Sequence, residues 1–196
     1  VFSQQNKVYS GITGKTTGKV IGDSECFSND TRSFERCFQL IFNNNFFVMI
    51  LAIIFSFTWG AGVIFLLGWN ASVIGLFIGN EITSRSIEAG IFRAVSYLPH
   101  GIPEVMAYFI AAIAGGIISA AISKKSFSRR EVRIIAIDTI LLLLLATITL
   151  FIGAFIETAE IFDYWEAAVG GIIAFVALYM ILYIPSVRYK INRIRD

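Results

Sequence analysis

Residues 44 to 67, NNFFVMILAIIFSFTWGAGVIFLL, run for 24 positions without a charged side chain. As an α-helix they extend about 36 Å, enough to cross the roughly 30 Å hydrocarbon core of a bilayer. Such a helix is apolar on every face and has few places in a soluble fold. In lipid, a helix satisfies its own backbone polar groups, so the run reads as a membrane span. Residues 103–123, 134–156 and 167–187 repeat the pattern. Gly68-Trp69-Asn70 reads as a break after the first span. Residues 70–82 then form a short or broken segment, either continued through Asn80, Glu81 and Thr83 or left as a half-helix. The expected fold is all-α, a polytopic helical membrane protein with about five membrane segments.

Composition supports this reading. Apolar residues make up 56% of the 196 and charged residues 15%, against roughly 25% charged in an average soluble domain. That excludes a disordered tail, a collagen-like chain and a disulfide-dense toxin scaffold. A net charge of +2 offers no strong basic field for nucleic acid.

Two regions stand apart from the spans. Residues 1–38 are polar, with glycines at 11, 14, 18 and 22 marking turns, and form an expected extracytoplasmic region ahead of a membrane domain at 39–196. Asn29-Asp30-Thr31 is a sequon, informative only outside the cell. Residues 81–101 mix Arg85, Glu88, Arg93 and His100 with Ile82, Ile87, Ile91 and Val95, the pattern of an interfacial amphipathic helix. The chain begins at Val1 rather than Met, and the expectation is a further helix upstream.

Basic residues set the expected orientation. Lys124, Lys125, Arg129, Arg130 and Arg133 lie in one short loop, and Arg188, Lys190, Arg193 and Arg195 in the tail. The loop 157–166 holds Glu157, Glu160, Asp163 and Glu166 and no Lys or Arg. The positive-inside rule places the loop 124–133 and the C-terminus in the cytoplasm of a multi-pass cell-membrane protein, and 157–166, 81–101 and 1–38 outside.

Cys26 and Cys37 are the only cysteines. On the outer side the redox environment permits a bridge. Two separate thiols, with Cys37 packed as a small hydrophobe, fit the sequence equally.

The candidate polar site starts from His100-Gly101-Ile102-Pro103-Glu104. Pro103 suits a first helical turn, and Glu104 suits the positive end of the helix dipole. In helical phase, Glu104, Tyr108, Ala111, Gly115 and Ser119 share a face, a small-residue stripe for close helix packing, with Gly116 beside it. Ala146, Thr149, Gly153, Glu157 and Glu160 form the matching stripe. Carboxylates inside spans are costly and face partners or water. Glu104, Glu157 and His100 are therefore expected to converge, and the candidate polar site also takes in Asn70 and Asn44. Such a cluster either locks helices or binds a cation or relays protons. Asn43, Asn44 and Asn45 precede the first span and either cap its backbone N–H groups or hydrogen-bond across helices, and Asn70 would satisfy free backbone groups at the break. One His and two Glu without HExxH spacing make a weak metal signal, and no metal is assigned. Asp138 is expected to snorkel toward the basic loop. No GxSxG, HExxH, CxxC or Walker A pattern occurs, so no catalytic residue and no cofactor is expected.

Several of these motifs also form a family pattern. Asn43-Asn44-Asn45 opens a Phe/Ile-rich span. Gly60-Ala61-Gly62 is followed by Gly68-Trp69-Asn70, Gly75 and Gly79. Leu98-Pro99-His100-Gly101-Ile102-Pro103-Glu104 is similar to a PHGxxE signature, and Gly153-Ala154-Phe155-Ile156-Glu157 to an AxxE span end. Together, over residues 34 to 187, the chain resembles the stage II sporulation protein M family in its archaeal version. The resemblance implies a multispanning scaffold rather than an enzyme. Its partners would be lipids and membrane or envelope proteins, or a second copy in a homo-oligomer. The sporulation members act beside a peptidoglycan amidase and a lytic transglycosylase. The rival reading is a transporter or channel that uses Glu104, Glu157, His100 and Asn70 as a polar site.

Overall fold

A computed structural model describes residues 33–59, 62–123 and 128–195, with side chains from 33–58, 64, 67–68, 70–123 and 128–182. Six helices account for nearly all of it: α1 Phe34–Trp59, α2 Gly62–Ser84, α3 Ile87–Ser96, α4 Leu98–Ser123, α5 Arg129–Ile161 and α6 Trp165–Arg195. Among the described residues there is no strand. Four helices are long and apolar enough to cross a membrane, over Phe34–Thr58, Leu98–Ser123, Arg129–Ile161 and Trp165–Leu182. The chain is thus an all-α polytopic membrane protein.

α1, α4 and α5 form the centre. Met49 and Ala52 of α1 pack with Ala107, Tyr108, Ala111 and Ala112 of α4 and with Ala146 and Leu150 of α5. The small side chains let the backbones approach, which is how helices associate where lipid removes the hydrophobic drive. A Cβ on Gly115 would lie 2.6 Å from the Ile53 carbonyl oxygen, so this contact needs glycine. One turn further along α1, the Ser56 hydroxyl donates to the Ala112 carbonyl at 2.6 Å. At the other end of α1, Phe34, Phe38 and Phe42 recur every four residues and meet Phe155 and Phe151 of α5 at centroid distances of 4.9 to 6.0 Å. Cys37 and Ile41 bury against Ala154 beside this aromatic ladder. α6 joins through Ala168 against Ile156 and Ala159, and through a 3.0 Å hydrogen bond between Thr149 and Tyr179.

The order of these contacts gives the direction of each helix. α1 runs parallel to α4, since Asn45 meets Glu104 and Ser56 meets Ala112. α5 runs antiparallel to α4, with Glu160 at His100. α6 runs antiparallel to α5, with Tyr179 at Thr149. α2 therefore returns from the far end of α1 to the start of α4, and its 23 residues give about 34 Å for the return. α3 caps that end, with Gly90 tight against Ile82 of α2. Ser86 caps α3, its hydroxyl accepting from the Ala89 N–H at 3.1 Å.

Several sequence expectations are corrected here. Helix α1 starts at Phe34, inside the region expected to be polar, because Phe34, Cys37, Phe38 and Ile41 give residues 34–43 a buried face. The apolar run 44–67 is two helices, one ending at Trp59 and the next beginning at Gly62. Gly68-Trp69-Asn70 is no break, and the short or broken 70–82 segment lies inside continuous α2. There the Ser72 hydroxyl donates to the Gly68 carbonyl at 2.8 Å, four residues back. The amphipathic stretch 81–101 divides among α2, α3 and α4, and its helix is the ten-residue α3. The other three spans exceed the lengths expected from hydropathy, because their polar ends continue the helix.

Candidate functional site

The polar site forms where α1, α4 and α5 meet, near the start of α4. Asn45 Nδ2 donates to Glu104 Oε1 at 2.6 Å. The Tyr108 hydroxyl donates to Asn45 Oδ1 at 3.0 Å. Glu104 is also hydrogen-bonded to Glu157 of α5. Through that contact the four side chains form one polar chain across three helices. Gly153 forms the floor. A Cβ there would lie 2.9 Å from Glu104 Cγ and 3.3 Å from Pro103 Cβ.

One turn toward the α4 start lies a second pair. His100 Nδ1 and Glu160 Oε2 are 2.7 Å apart, with both side chains largely buried. The Tyr97 ring meets the His100 ring edge-on at 5.9 Å, and the Arg93 guanidinium lies 5.5 Å from the Tyr97 centroid. The row Arg93, Tyr97, His100, Glu160 thus ties α3 and α4 to α5.

The expected residues divide as follows. Glu104 and Glu157 do meet. His100 lies on the same side but pairs with Glu160. Asn70 sits within α2, on a helix other than the three that build the cluster. Asn44 is exposed, and its neighbour Asn45 supplies the amide. The three asparagines do not cap a helix, since α1 begins at Phe34. Pro103 lies in the second turn of α4 and is fully buried, while Pro99 occupies the first turn. Glu104 is therefore a mid-bundle residue rather than a dipole-stabilised end. Gly115 faces the Ile53 backbone, and Gly153 faces Glu104 and Pro103. Gly116 stands 3.5 Å from the Ser56 hydroxyl by the same measure, and Ser119 is half-buried. Asp138 is exposed near the start of α5. Cys37 is fully buried. Cys26, the Asn29 sequon, Lys124 and Lys125 lie outside the described residues. Sequence reading missed Tyr108 as a polar partner because it was counted only as part of a packing face. Among the described residues, no three or more His, Cys, Asp or Glu side chains are grouped to hold a metal ion.

Membrane-crossing helices built around a self-contained carboxyl–amide–phenol cluster define a polytopic integral membrane protein. The family model for stage II sporulation protein M matches residues 7–159, and the chain belongs to that family. No curated protein matches, and no solved structure matches.

Proposed function

We propose that this protein is a non-catalytic membrane scaffold that organises partner proteins of the membrane or envelope. One observation carries the reading. The intramembrane acids are committed to bonds between helices, with Tyr108 holding Asn45, Asn45 holding Glu104 and Glu104 meeting Glu157 above the tight floor at Gly153. A buried network whose members are satisfied rigidifies a bundle and fixes one arrangement of it. Family membership supports a membrane protein of this type. The outer surface for partners would be residues 1–38 together with the α3 end, where Ile87, Ile91, Phe92 and Val95 are exposed.

The second reading is a transporter or channel. It draws on the succession of His100–Glu160 and Glu104–Glu157 along two helices, an order that would suit a proton or cation path. Flux in proteoliposomes separates the two. Wild type is compared with the Glu104→Gln/Glu157→Gln double variant under several cation and pH gradients. The scaffold reading expects no flux from either protein and a lower melting temperature for the variant. Carboxyl-dependent flux would overturn it.

A further inference from the structure

We propose that the cleft between α4 and α5, at the end far from the carboxyl cluster, binds one anionic membrane lipid. The inference is independent of the scaffold reading and begins with one hydroxyl. Thr147, Thr149 and Thr158 of α5 each donate to the carbonyl four residues back, at 2.7 to 2.8 Å. This is the ordinary way a membrane helix satisfies a threonine. Thr139 on the same helix is 6% exposed, and its Oγ1 has no hydrogen-bond partner among the described residues. An unpaired buried hydroxyl is costly, and this one has a space beside it.

Thr139 lines a cleft of about 550 Å³ with Ile118, Ala121 and Ile122 of α4 and Val132, Ile135, Ala136 and Ile140 of α5. That volume falls within the roughly 300–1,000 Å³ of small-molecule sites. The other seven walls are aliphatic, which suits a hydrocarbon chain. The rim is basic. At 100° per residue, Arg129 lies on the same face of α5 as Val132 and Ala136, and Arg133 lies at its edge. Both arginines are exposed. Of the nearby acids, Asp138 lies well round the helix from the lining, while Glu131 stands one turn before Ile135 and is engaged locally, a carboxylate oxygen accepting from the Ser128 N–H at 2.8 Å. Arg133 is six residues and about 9 Å along the helix from Thr139. A phosphate at its guanidinium leaves the linkage oxygens of the same lipid level with Thr139, whose buried hydroxyl meets them once the side chain turns toward the cleft. The positive-inside rule accounts for arginines near this end, but not for a hydroxyl left without its usual carbonyl beside an apolar cleft.

The test is native mass spectrometry of the full chain in detergent, titrated with dioleoyl phosphatidylglycerol or the matched phosphatidylcholine. The expected result is one retained phosphatidylglycerol per chain, at least tenfold preferred over phosphatidylcholine. Ala136 is exposed, so Ala136→Phe fills the cleft from its open side, and this variant is expected to lose the bound lipid while keeping its helicity and melting temperature. Thr139→Val, which preserves shape, is expected to weaken retention several-fold. Arg129→Gln/Arg133→Gln is expected to abolish the headgroup preference. Lipid retained unchanged by the filled cleft, equal retention of both lipids, or displacement by inorganic phosphate alone would each overturn the proposal. A dimer that disappears in Ala136→Phe would overturn it too, and would assign the cleft to a second copy.

Discussion

Asn45 makes two hydrogen bonds between helices with a single side chain, donating to Glu104 and accepting from Tyr108. Its replacement by Leu leaves a carboxyl oxygen and a phenol without their partner inside the bundle. The expected loss is about 1–3 kcal/mol, from the cost of unpaired polar groups and the modest net worth of hydrogen bonds in membranes. Asn44→Leu, at an exposed position, is expected to stay within about 0.5 kcal/mol. Reversible unfolding in mixed micelles reads both, and equal effects would refute the assignment of the amide to Asn45. Glycines give a second contrast at this scale. Gly115→Ala puts a methyl group 2.6 Å from the Ile53 carbonyl oxygen, an atom of backbone that yields only if α1 moves. Gly75→Ala meets nothing within 4 Å. The first is expected to destabilise by about 1–3 kcal/mol through overpacking. The second is expected to be neutral or stabilising by up to about 1 kcal/mol, from helix propensity. Melting temperatures in one detergent check the pair. The sequence made the carboxylates legible because a charge in an apolar run is conspicuous. It did not separate Asn45 from Asn44, because three identical residues carry no phase until the helix start is known. That start lay ten residues earlier than hydropathy alone suggests.

The ends of α5 carry cap chemistry that the hydropathy span 134–156 left unread. α5 begins at Ser128, whose hydroxyl accepts from the Glu131 N–H at 3.2 Å while Glu131 accepts from the Ser128 N–H, a capping box. It ends in a turn where the Tyr164 N–H reaches the Ala159 carbonyl at 2.8 Å and the Asp163 N–H reaches Glu160 at 3.1 Å. Those two bonds make a Schellman ending, with Asp163 at φ 59° in the position glycine usually fills. Asp tolerates that region better than most residues, whereas a β-branched side chain does not. Asp163→Val is therefore expected to cost about 1–2 kcal/mol, and Asp163→Gly to leave stability unchanged or raise it by up to about 1 kcal/mol. Thermal unfolding orders the three proteins, and Val equal to Asp would contradict the left-handed turn. The join between α1 and α2 was misread for want of such a signal. No charge, Pro or polar cluster interrupts the apolar run there, and the Gly60-Ala61-Gly62 signal resembles the small residues that continue other spans. Gly68 drew the break instead, although its position in α2 has open space around it.

For the whole molecule, the contact order has a consequence that hydropathy could not supply. Because α1 lies parallel to α4, α2 must make a full return, and α1, α2, α4, α5 and α6 then alternate in direction. The end of α4, the start of α5 and the end of α6 fall on one face. The α5–α6 turn, α3 and the start of α1 fall on the other. Arg129, Arg130 and Arg133 stand with Glu131 at the first face, whereas Glu160, Asp163 and Glu166 add to Glu35, Arg36, Arg85, Glu88 and Arg93 at the second. The expectation from the positive-inside rule is that the Glu104–Glu157 cluster lies toward the outer side and the Thr139 cleft toward the cytoplasm. An impermeant maleimide tests this on intact cells. Asp163→Cys is expected to label from outside, and Arg130→Cys only after permeabilisation, each measured above the labelling of the unsubstituted chain. Labelling of both from the same side would mean that α5 does not cross, which would break the alternation. Reversed labelling would keep the bundle and invert its orientation, which would place the carboxyl cluster on the cytoplasmic side and the basic rim of the cleft outside.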